Sequence, residues 1–113
     1  MEEQQPDVLE LTRKLGREPN PRTALLIMQW ELGDLAKSIV YMEWHPDLAT
    51  SYKAEAKLAM ASLLFQVQVI ASLLDFDPGD LFNMGVETVK GRIKEMEKKI
   101  GRFKHYVGEE EHA

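Results

Sequence analysis

The sequence predicts an all-α fold, and three observations predict it. Apolar residues recur in steps of three and four along most of the chain. No stretch shows the alternation or the β-branched clusters that a strand needs. Proline with aspartate or asparagine divides the 113 residues into four helical stretches. A hydrophobic share of 44% and a charged share of 29% belong to a chain that folds. The length suits one domain, residues 1–113, with 1–7 and 108–113 expected as disordered ends.

The first helix is short. Asp7 stands as its cap, Glu10 at the capping-box position, and Val8, Leu11 and Leu15 recur until Gly16 stops the run. Asn20-Pro21 opens the second helix, because Asn accepts from the orphan backbone donors and Pro at the first helical position loses nothing by lacking an N–H. Leu25, Met28, Leu32, Leu35, Ile39 and Met42 then form one apolar stripe, predicted to face the core until Trp44-His45-Pro46 ends the helix.

A third helix, from about Leu48 to Leu74, is apolar around nearly its whole circumference. A monomer of this size has too little interior to hide such a helix, so the chain is expected to self-associate as a homodimer or homotetramer. The uncharged run Leu58 to Leu74 is near the lower limit for crossing a bilayer, but Ser62, Gln66, Gln68 and Ser72 interrupt it, and a core helix is the expectation. Asp77-Pro78-Gly79-Asp80 opens the fourth helix. There Phe82, Val86, Val89, Ile93, Met96, Ile100, Phe103 and Val107 alternate in steps of four and three, a heptad seam on a helix of roughly 27 residues, about 40 Å long. Gly85, Gly91 and Gly101 each cost about 1 kcal/mol relative to Ala, so a kink or break is expected near one of them.

The formal net charge is -5, and six of the acids (Glu2, Glu3, Asp7 and Glu109 to Glu111) lie in the ends. Residues 87–107 instead carry seven basic side chains against three acids, a segment able to meet phosphate. Interspersed Lys and Glu around a heptad seam are the ordinary surface of a soluble helix, and nucleic acid is not the expected partner. The start, MEEQQPD, has no basic region or apolar core of a signal peptide, which points to a cytoplasmic protein without a membrane partner. The absence of cysteine excludes a disulfide framework and a thiolate nucleophile. His45, His105 and His112 are widely separated and suggest no triad, and no catalytic residue is assigned.

The informative segment is Glu31-Leu-Gly-Asp34-Leu-Ala-Lys37. Acids at i and i+3 project from one side of a helix, here at the margin of the apolar stripe, where they can share a hard cation such as Mg²⁺ or Mn²⁺. Asn20 to Val40 resembles the first motif of the MazG-like all-α nucleotide pyrophosphohydrolases, in which an E-x-x-E/D pair precedes an E-x-x-D pair on the next helix. Leu63-Leu-Phe-Gln-Val-Gln-Val-Ile-Ala-Ser-Leu-Leu-Asp-Phe-Asp-Pro78 resembles the leucine-rich stretch and short turn that follow.

The resemblance implies a four-helix bundle completed by oligomerisation, which uses Mg²⁺ to split nucleoside triphosphates into monophosphate and pyrophosphate. It implies Glu31 and Asp34 as metal ligands. The same alignment puts Ala59 and Ser62, 24 intervening residues after Asp34, where the second acidic pair belongs. Glu55, one turn before Ala59, is the candidate third ligand, and Lys90 or Arg92 would neutralise phosphate. The alternative is a non-catalytic helical interaction protein whose metal site has decayed.

Overall fold

The computed structural model describes the backbone of residues 7–111 and the side chains of residues 7–102. Among the described residues there are four α-helices and no strand: α1 (Val8–Lys14), α2 (Pro21–Trp44), α3 (Ala49–Leu73) and α4 (Pro78–Glu111), with a 3-10 turn at Pro46–Leu48. The expected all-α class is therefore the observed one. The chain divides after Asp77 into two units. Of the expected disordered ends, residues 1–6, 112 and 113 lie outside the described residues, whereas Asp7 caps α1 and the backbone of 108–111 is helical.

Each boundary in the first unit has a local cause. The Asp7 carboxylate accepts from the N–H of Leu9 at 2.9 Å and of Glu10 at 3.4 Å, and Gly16, at φ +88, takes the left-handed conformation that ends α1. Asn20 Oδ1 accepts from the N–H of Arg22 at 2.8 Å and of Thr23 at 3.4 Å, with Pro21 behind it. Asn20→Ala should therefore cost about 1 kcal/mol, seen in urea unfolding as a lower midpoint at unchanged slope. A midpoint equal to that of the parent would mean the cap carries no net stability. α3 ends in a Schellman turn in which the Phe76 N–H bonds the Ala71 carbonyl at 2.7 Å, and Asp75 occupies the left-handed position at φ 59 where glycine is the common choice.

α2 and α3 pack as an antiparallel hairpin, since Ala24 near the start of α2 meets Val69 near the end of α3, with Val8 of α1 closing that cluster. The predicted core stripe of α2 is corrected in part by the structure: Met28, Leu35 and Met42 are half-buried, but Leu25, Leu32 and Ile39 are exposed, while Ala24 and Ser38 are the buried residues of this helix. On α3 the buried positions are Ala56, Ala59, Gln66, Val69 and Ala71. Four of these seven residues are alanine and one is serine, and small side chains let two helix backbones approach closely and leave the larger apolar residues turned outward.

α3 with the preceding turn, Pro46–Leu73, is long and apolar enough to cross a membrane by length and composition. Only 22% of its most apolar 18-residue window is buried, and Leu58, Met60 and Leu64 are exposed, so a single chain leaves much of α3 uncovered, as its all-round apolar surface led one to expect.

The second unit is α4 itself, 34 residues against the expected 27, and it runs unbroken through Gly85, Gly91 and Gly101. Glycine keeps its backbone N–H and so can continue a helix at a cost in stability, which is why none of the three ends it. Short-range pairs run along its surface, Lys90 with Glu87 at 3.5 Å and Lys98 with Glu95 at 3.7 Å.

Candidate functional site

The antiparallel register that sets Ala24 beside Val69 fixes what lies further along the hairpin. Both helices rise about 1.5 Å per residue, so each step up α2 is matched by an equal step down α3. Glu31 then comes level with Ser62, Asp34 with Ala59 and Ser38 with Glu55. These six residues, with Lys37 and Leu58, line one open groove of about 540 Å³. The three residues expected to hold metal, Glu31, Asp34 and Glu55, are thus brought to one groove, and so are the two positions where acids were expected and are absent.

Glu31 is half-buried, whereas Asp34 and Glu55 are exposed. Among the described residues the ion pairs join Arg13 to Glu18, Lys14 to Glu10, Lys90 to Glu87 and Lys98 to Glu95, and none involves the three groove carboxylates. Lys37, the nearest candidate partner in sequence, places its ammonium 5.6 Å from the centroid of the Tyr41 ring, an attraction to the aromatic face. The Ser38 hydroxyl donates to the Asp34 carbonyl at 2.9 Å. That bond satisfies a buried polar group and commits the hydroxyl to the backbone.

The donor set suits a hydrated hard cation. Mg²⁺ commonly takes one or two carboxylates from a protein and fills its other positions with water and substrate phosphate. Glu31 and Asp34, one turn apart on a rigid helix, offer that pair. Among the described residues no three acidic or histidine side chains gather closely enough to cage a metal. Glu55 lies across the groove from the pair, on α3, and the described residues form no closed cage for a metal.

Ala59 is 3% exposed. It supplies packing where the resemblance called for a charged ligand, and half-buried Ser62 supplies a neutral hydroxyl. Lys90 and Arg92, the expected phosphate contacts, belong to α4 and so to the other unit. Lys90 is paired with Glu87 there, and Arg92 lines a shallow hollow with Gly91, Glu95 and Met96.

An aromatic group gathers at the hairpin corner. The Tyr41 ring lies 5.4 Å from Tyr52, 5.7 Å from Trp44 and 6.0 Å from His45. The sequence signal was present, since Tyr41, Trp44 and His45 step by three and four, but only the chain reversal at Pro46 adds Tyr52. Such edge and tilted contacts between rings stabilise a corner. No family model matches the chain, and neither the curated proteins nor the solved structures contain a match to it.

Proposed function

We propose that the groove between α2 and α3 binds Mg²⁺ together with a nucleoside triphosphate, and that the protein is a divergent relative of the MazG-like nucleotide pyrophosphohydrolases, acting in the cytoplasm as a homodimer or homotetramer. One observation carries the reading: Glu31, Asp34 and Glu55 line a single groove, and none of them forms an ion pair with a lysine or arginine among the described residues. When bound, the cation would polarise phosphoryl oxygens and orient water. Glu31 and Asp34 present oxygens from one helical turn. Leu58 and Ala59 form an apolar wall on the α3 side, and Lys37 adds positive charge to the lining.

Hydrolysis itself asks for more than binding. With Ala59 and Ser62 at the second acidic positions, the lining has Glu55 as its one carboxylate on α3, so turnover should be slow relative to a site with four acids. The alternative reading, a non-catalytic helical interaction protein, is favoured by the burial of Ala59, which is the packing expected after a ligand position has been given over to the core.

Calorimetric titration with Mg²⁺ and then Mn²⁺ tests the site. Weak binding heat should appear in the parent and fall at least tenfold in apparent affinity in Glu31→Gln; identical isotherms for the two chains would mean the groove holds no cation. A parallel screen of canonical and modified nucleotides for pyrophosphate release separates the readings, because binding without release identifies the non-catalytic one.

A further inference from the structure

The seam of α4 has no cover within its own unit. Phe82, Val86, Val89, Ile93, Met96 and Ile100 are each between 37% and 73% exposed, along an unbroken helix whose neighbours in that unit are only other turns of itself. A stripe stepping strictly by four and three is narrower than the face a globular core requires, and its period of 3.5 residues is matched by a second long helix winding along it.

We propose that this partner is α4 of a second copy, so that the chain associates through a two-stranded coiled coil. In heptad terms Val86, Ile93 and Ile100 occupy the a positions, and Phe82, Val89 and Met96 the d positions. β-branched residues at a are half of the pattern that favours two strands, the other half being unbranched or γ-branched residues at d, which Met96 and Phe82 approach and Val89 does not. The flanking charges suit a copy of the same helix. Arg92 and Glu97, five residues apart at g and e, meet across a parallel pair, and Lys90 and Glu97, both at e, meet across an antiparallel pair. A parallel pair thus brings a basic side chain to an acidic one on both sides of the seam, whereas an antiparallel pair does so on the e side alone and sets Arg92 and Lys99 together on the g side, so the charges favour the parallel pair. The acids at Glu87 and Glu95 already pair along their own helix with Lys90 and Lys98, which keeps the outer face soluble. This proposal names the surface through which the proposed self-association occurs, and it does not depend on the groove binding metal.

The absence of cysteine from the whole chain permits a direct test in the full-length protein. Under mild oxidation at low micromolar concentration, Ile93→Cys should form a disulfide-linked dimer if the helices run parallel, and an equimolar mixture of Ile93→Cys with Met96→Cys should do so if they run antiparallel. Either product should exceed that of Lys98→Cys, on the opposite face, at least tenfold. In analytical ultracentrifugation without oxidant, Ile93→Asp should raise the dimer dissociation constant at least tenfold, with helical circular dichroism checked against the parent. Seam cysteines that react no faster than Lys98→Cys, or an Ile93→Asp chain that associates as the parent does, overturn the proposal. Mg²⁺ binding measured on Ile93→Asp stays at the parental value in this scheme, so failure of the seam and failure of the groove read out separately.

Discussion

In the presence of chelator, the Ala59→Glu, Ser62→Asp double variant should melt on the order of 10 °C below the parent chain, and Mg²⁺ should raise its melting temperature far more than it raises that of the parent. The two positions line the same groove as Glu31 and Asp34. Ala59 is 3% exposed, so a carboxylate placed there loses hydration beside existing acids, at a cost of roughly 3 kcal/mol. Desolvation and like charge both raise the pKa of the introduced groups above the unfolded value. The folded state then binds more protons than the unfolded one across the window between those two values, so stability falls as pH rises through it, and the deficit should shrink on acidification. A cation that binds only the folded state offsets the loss, by about 2.7 kcal/mol at a hundredfold excess over its dissociation constant. The restored set of four acids should also speed release of pyrophosphate from triphosphates. Equal metal responses in the two chains would show that positions 59 and 62 do not act with Glu31 and Asp34, and the correspondence with the E-x-x-D motif would have to be given up.

Val69→Asp should leave the hairpin largely unfolded at 25 °C. Val69 is 1% exposed and meets Ala24 of α2 and Val8 of α1, with Phe65, Ile70 and Leu73 packed around the cluster. A carboxylate there would have no cationic partner, and the cost of burying it, with the lost apolar contact, is about 4 kcal/mol or more. That is a large part of the stability of a small domain. Gln68→Asp, one residue away on the exposed side, should cost no more than about 1 kcal/mol. The comparison is made by far-ultraviolet circular dichroism through a urea titration. A Val69→Asp chain as stable as Gln68→Asp would mean that α1, α2 and α3 do not share a core at this point.

What the sequence determined by itself was local. Helix class and boundaries follow from interactions within a turn or two of the chain: Asp7 and Asn20 accept from their own next residues, Gly16 takes a left-handed conformation, and Pro46 forbids continuation of α2. For the same reason Glu31 and Asp34 could be placed on one face without a structure, because i and i+3 neighbours are fixed by helical geometry. The seam of α4 was legible too, as a pattern. Its length was underestimated because the helix starts at Pro78, before the first seam residue, and its backbone stays helical through residues 108–111, which were expected as a disordered end.

Which face of α2 meets α3 was decided only by tertiary structure. Of the hydrophobic stripe, Met28, Leu35 and Met42 are half-buried and Leu25, Leu32 and Ile39 are exposed, whereas the buried residues of the hairpin include Ala24 and Ser38 on α2 and Ala56, Ala59 and Val69 on α3. Apolar periodicity records every face that is ever covered, including faces left open within one copy, and does not say which partner covers which. Close approach instead depends on where small residues on two helices come level, and that depends on the register set by the turn at Pro46–Leu48. The groove follows from the same register. Glu55 lies 21 positions beyond Asp34 in the chain, and it shares a lining with Glu31, Asp34, Ala59 and Ser62 because the antiparallel return of α3 brings it there.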